Sequence, residues 1–131
     1  MAAIPHLSSV GRVLLALIFI LSGIGKIGAP EATQGYIASV GIPIPTLAFL
    51  AAIVAEVGGG ALLLVGYRAR LVSLLLAAFT VATALLFHSN FGDQNQMIHF
   101  LKNLAIAGGL LQVAAFGAGM LSLDSRRAKQ C

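Results

Sequence analysis

One apolar run, Leu47 to Gly66 (LAFLAAIVAEVGGGALLLVG), is broken by a single carboxylate, Glu56. Twenty residues at a rise of ~1.5 Å each match the ~30 Å hydrocarbon core of a bilayer, so the run is expected to be a membrane-spanning helix. An acid at mid-depth costs at least ~2.5 kcal/mol on insertion scales, which directs it toward protein or a water-filled cavity and makes it a candidate functional group. The rest of the chain is read for what Glu56 can meet.

The composition is that of a membrane protein: 59% of residues are hydrophobic and 9% charged, against about 25% charged in soluble domains. The 131 residues leave room for one domain. A net charge of +4 does not imply nucleic acid, because the cations flank apolar runs. The single cysteine, Cys131, excludes an intrachain disulfide.

Four spans are expected, at about 10–29, 46–66, 70–88 and 97–121. The first is expected to be a retained helix rather than a cleaved signal peptide, since Arg12 is the only cation before it and no A-x-A site follows. Between the first two spans, Pro30 fits the start of a short interfacial helix carrying Tyr36, Ile37 and Val40, with Gly41 beyond its end. Asp93 with Gln96 reads as a capping box opening the last helix. Near the helix ends, Arg12, Arg68, Arg70, Arg126, Arg127 and Lys129 fall on one side, and Lys26 and Lys102 on the other. That asymmetry predicts cytoplasmic termini. The expected fold is an all-α membrane protein: an antiparallel four-transmembrane-helix bundle, multi-pass in a bacterial inner membrane.

Counting from the cytoplasmic flanks puts Ser22, Glu56, Thr80 and Gln112 roughly 14–18 Å deep, in one polar layer. Lys26, His88 and Lys102, with Asn103 and His99, form a second layer nearer the outer surface. At 100° per residue, Phe19, Ser22 and Lys26 share a stripe, as do Lys102, Ala105, Gly109, Gln112 and Phe116. Both stripes are expected to face inward. The expected site is a pocket opening outward with Glu56 as its floor. Its candidate catalytic residues are Glu56, Lys26, His88 and Lys102; its candidate ligand-binding residues are Ser22, Thr80, Asn103, Gln112 and Phe19. The plainer alternatives are snorkelling for the two lysines and backbone hydrogen bonds for Ser22 and Thr80. Two histidines eleven residues apart match no metal-ligand spacing, so no metal is expected, and no haem or flavin motif is readable.

The sequence resembles the DoxX family of small four-helix bacterial membrane proteins. The resemblance rests on RVLLALIFILSGIGK at Arg12 to Lys26, EVGGGALLLVG at Glu56 to Gly66, Phe87 with His88, and LKNLAIAGG at Leu101 to Gly109. It places Arg12, Gly23, Lys26, Glu56, Gly59, Gly66, His88, Lys102, Asn103 and Gly108 on family motif positions. The family is named for a subunit of a terminal quinol oxidase. The resemblance therefore implies a quinone-linked oxidoreductase subunit, with quinone or quinol as cofactor and the lipid bilayer, redox partner subunits and further copies of the chain as partners. A non-catalytic small-molecule binding or transport protein and a structural assembly subunit are the alternatives.

Overall fold

The computed structural model describes residues 6–130, with side chains as far as Arg126. The side chains of Arg127, Lys129 and Cys131, used in the charge and cysteine readings, lie outside the described residues. Every regular element among them is helical: α1 (Leu7–Gly28), α2 (Pro30–Ser39), α3 (Pro45–Ile53), a π-helical turn (Val54–Gly58), α4 (Gly59–Val65), α5 (Ala69–Phe87), α6 (Gln94–Phe116) and α7 (Leu123–Gln130). Among the described residues, four stretches are long and apolar enough to span a membrane: Leu7–Gly28, Pro45–Val65, Ala69–Phe87 and Gln94–Phe116.

Local chemistry sets the boundaries. Pro30 and Pro45 open α2 and α3, where a missing N–H costs nothing and φ is already helical. Gly66, at φ 73°, closes α4 with paired bonds from Gly66 N to Leu63 O (3.1 Å) and Tyr67 N to Leu62 O (2.9 Å). Asp93 caps α6 by accepting from Asn95 N at 2.9 Å. The reciprocal half of the expected capping box differs, because the Gln96 side chain accepts from Asn90 N instead.

Large side chains face outward along the spans, among them Leu14, Leu47 and Leu75. That surface suits lipid, whose tails are as apolar as leucine. Close approach through small residues holds the interior together. A Cβ at Gly23 would lie 2.5 Å from Val57 Cγ2, and one at Gly60 would lie 2.8 Å from Ile20 Cγ1 and 3.2 Å from the Ile20 backbone nitrogen. Gly60→Val is therefore expected to cost at least about 2 kcal/mol by overpacking. Gly25→Ala, where an added Cβ meets nothing within 4 Å, is expected to be neutral or mildly stabilising. Thermal unfolding of the two variants in one detergent checks the difference.

The N-terminal end of α1 and the segment after α6 meet at one end of the bundle. Arg12, 2% exposed, donates to the carbonyl oxygens of Ala118, Leu64 (3.2 Å) and Leu121 (2.8 Å). Ser9 Oγ accepts from Leu121 N at 3.1 Å. Asp124 follows, its two carboxylate oxygens accepting from Arg68 N and Ala69 N at 2.7 Å each. The carboxylate thus caps α5 and offsets the positive end of its dipole.

Two sequence expectations for α6 are corrected here. The helix ends at Phe116, short of Leu121, because Gly117 adopts φ 93° and turns the chain toward Arg12. Gln112 is therefore about one turn from the helix end rather than at mid-depth. The inward face also differs: Ala107, Leu110 and Val113 are buried, whereas Lys102, Ala105, Gln112 and Phe116 are exposed.

Candidate functional site

At the end opposite Arg12, the helices enclose a cavity of about 750 Å³ lined by α1, α2, α3, the π turn, α5 and α6. Its polar floor is built around Glu56, which the π turn presents from the middle of the second span. Glycines at 58–60 have low helical preference, so the wider turn replaces little helical stability there. Such turns recur at functional sites.

Glu56 is 6% exposed and does not stand alone. Lys26 Nζ donates to Glu56 Oε1 and Oε2 at 2.9 Å each and to Ser22 Oγ at 3.1 Å. Those three bonds use all three ammonium protons. Ser22 accepts from Lys26, which leaves its own O–H able to donate. Thr80 Oγ1 donates to Leu76 O at 2.7 Å, the backbone bond expected of a mid-helix threonine. Asn103 Nδ2 donates to Thr80 O (3.3 Å) and Thr83 Oγ1 (3.4 Å), which leaves the amide oxygen as an acceptor. Ser22, Asn103 and the outer lone pairs of Glu56 are thus the groups that can meet a ligand.

The rim carries two imidazoles. His88, just beyond the end of α5, and His99 on α6 have ring centroids 5.1 Å apart. Burial, and secondarily the neighbouring His99, hold His88 below the ordinary imidazole range. Tyr36 of α2 lines the cavity from above. Its hydroxyl donates to Phe87 O at 2.8 Å and its ring stacks on Phe87 at 5.5 Å.

Of the residues singled out in the sequence, Phe19, Ser22, Lys26, Glu56, Thr80, His88 and Asn103 line this cavity, and Lys102 and Gln112 do not. Lys102 neighbours Asn103 in sequence but points about 100° away, toward the outside. Both outward residues lie within reach of a helix end, where a long polar side chain extends to the headgroups at low cost. Thr83 and the roof formed by Thr33 and Tyr36 were not singled out as site residues. The signal for Thr83 was its place one turn beyond Thr80.

Residues 7–89 match the DoxX family model. The chain belongs to the DoxX family. It is 42% identical over 115 residues to inner membrane protein YqjF of Escherichia coli K12, covering 88% of this chain and 87% of that one. It is 38% identical over 130 residues to inner membrane protein YphA of the same organism, covering 95% and 93%. No solved structure matches at a significant level. With four spanning-length helices, this DoxX protein is a multi-pass protein of the bacterial inner membrane, as the sequence resemblance implied. Both the floor pair Lys26–Glu56 and the rim residue His88 lie inside the matched region.

Proposed function

We propose that this DoxX-family chain is the quinone-binding subunit of a membrane redox system, with cytoplasmic termini, α2 at the outer interface and the cavity in the outer half of the bilayer. One observation carries the reading: an ion pair forms the floor of an otherwise largely apolar cavity within the membrane. The orientation follows from Arg68, Arg70 and Arg126 at the Arg12 end, against Lys26 and Lys102 at the other.

The residues fit such a ligand. The volume falls within the ~300–1,000 Å³ of small-molecule sites. The Ser22 hydroxyl would donate to a head-group carbonyl, and Glu56 or the Asn103 amide oxygen would accept from a hydroxyl. A bound quinol would supply two-electron, two-proton carrier chemistry, its two electrons passing to an oxidised partner redox protein and its two protons leaving through groups of this chain. Glu56 is the only carboxylate in the lining and so the group positioned to receive a proton, at Oε1 or Oε2. Lys26, its protons already engaged, positions Glu56. His88 and His99 lie between this floor and the outer surface, as stations for proton exchange.

One observation favours a structural assembly subunit instead: the Lys26–Glu56 pair is complete without any ligand. Equilibrium binding of a polyprenyl benzoquinone to the protein in lipid nanodiscs separates the two readings. Glu56→Gln is expected to weaken binding about tenfold or more, as loss of a charged hydrogen bond does, with the folded yield retained. Absence of quinone binding in the wild type, together with reduced abundance of the variant, would establish the structural role.

A further inference from the structure

We infer that the cavity is filled sideways from the bilayer, through a gap between α3 and the second half of α5, and that its ligand carries a long apolar tail lying in that gap. The head-group assignment rests on the quinone reading; the side opening and the tail rest on the shape of the bundle.

The second and third spans form a hairpin that is closed at one end and splayed at the other. Near the turn they are tight, and a Cβ on Gly59 would sit 3.0 Å from Leu76 Cδ2. Beyond the π turn the partnership changes, and α3 packs on α1 and α2 rather than on α5. The facing walls there are Ala48, Ala51 and Ala55 on one side and Phe79, Ala82 and Leu86 on the other, all lining the cavity. Small residues in a membrane helix ordinarily permit close contact with a neighbour. These alanines face empty space instead.

The lateral route is the apolar one, since the outer rim carries the imidazoles of His88 and His99. Above, Ile37 is 4% exposed and Tyr36 is tied to Phe87. Below, Phe19, Glu56 and Thr80 are each buried. Leu86 nonetheless is 54% exposed, and Ala51 and Ala82 are exposed as well. Their open faces lie at membrane depth, where the surrounding medium is hydrocarbon. A molecule that satisfies both regions has a hydrogen-bonding head at Ser22 and Glu56 and a hydrocarbon tail against the alanine wall. The tail can remain partly in the bilayer, so the head enters without the whole molecule leaving lipid.

Ala51→Trp and Ala82→Trp fill the gap from opposite sides without touching the floor. Ala78→Trp, on the exposed face of α5 and outside the cavity lining, is the control. Each protein is placed in nanodiscs and mixed with a long-tailed polyprenyl benzoquinone or its tail-less head group, with thermal unfolding recorded in parallel. Both gap variants are expected to slow association of the long-tailed probe about tenfold or more and to leave the tail-less probe and the control within about twofold. Equal loss of both probes, or no change in either, overturns the inference. Native mass spectrometry covers a wild type that binds no quinone. A co-purifying bilayer lipid that Ala51→Trp expels sustains the opening and rejects the quinone, and absence of any retained lipid overturns the opening too.

Discussion

Lys26→Met is expected to destabilise the bundle by about 3 kcal/mol, the cost of leaving one partner of a buried ion pair without the other. Glu56 is 8% exposed at its side chain and sits at the centre of its span. Its carboxylate cannot reach water by extension, so the variant must hold it unpaired or protonate it. The reverse change is expected to be milder. In Glu56→Gln, Lys26 keeps Ser22 and stands two residues from the end of α1, where its chain can extend toward the headgroups; a loss of about 1 kcal/mol is expected. Lys26→Met combined with Glu56→Leu removes both charges and is expected to recover most of the stability, as apolar replacements of buried pairs do. Unfolding midpoints of the four proteins in one detergent give the coupling directly. Equal losses from the two single changes would mean that the pair is solvated, contrary to its burial. The double variant also separates roles, since it is expected to be stable and yet unable to bind the quinone probe.

How far the sequence discloses this site follows from the solvent. Lipid demands continuous apolar runs, so the four spans and the isolation of Glu56 are visible without any alignment. Depth counting puts Ser22 level with Glu56, and the shared stripe sets Lys26 one turn above Ser22, because α1 is a regular helix. The same reasoning failed on α6. Leucines, alanines and glycines occur on all its sides, so periodicity alone does not mark an inward face, and the rule that polar groups point inward chose the wrong one. Near a helix end that rule weakens, because Lys102 and Gln112 reach the headgroups instead. The early stop at Gly117 was equally hidden, since nothing local distinguishes it from Gly108 or Gly109 within α6. The π turn leaves only an indirect trace, the glycines at 58–60. The cavity itself depends on α3 parting from α5, a tertiary choice without a local signal.

Arg12→Met is expected to cost about 3 kcal/mol and to release the segment after α6, although the sequence presents Arg12 as a flanking cation. A flanking arginine lies in the headgroups and can be replaced with little loss. Arg12 instead is almost wholly buried and donates to carbonyl oxygens of residues 64, 118 and 121, on segments far apart in the chain. Residues 117–122 are outside any helix; Gly119 O and Ser122 O accept from Ser122 Oγ and Arg126 N, while Ala118 O and Leu121 O take the guanidinium as donor. Hydrogen bonds to charged groups contribute about 1.5–3 kcal/mol each net of exchange with water and are not additive, and the methionine supplies none. Arg12→Lys is expected to recover less than half, since a single ammonium cannot span three carbonyls that a planar fork reaches together. The neighbouring Gly66 shows how closely the site is fitted: a Cβ there would lie 3.1 Å from Arg12 Nη1. Unfolding midpoints, with limited proteolysis between residues 117 and 130, test both parts. Arg12→Met should expose that segment to cleavage while α1 to α6 stay protected. A variant that keeps its midpoint and resists cleavage would return Arg12 to the role of a flanking charge.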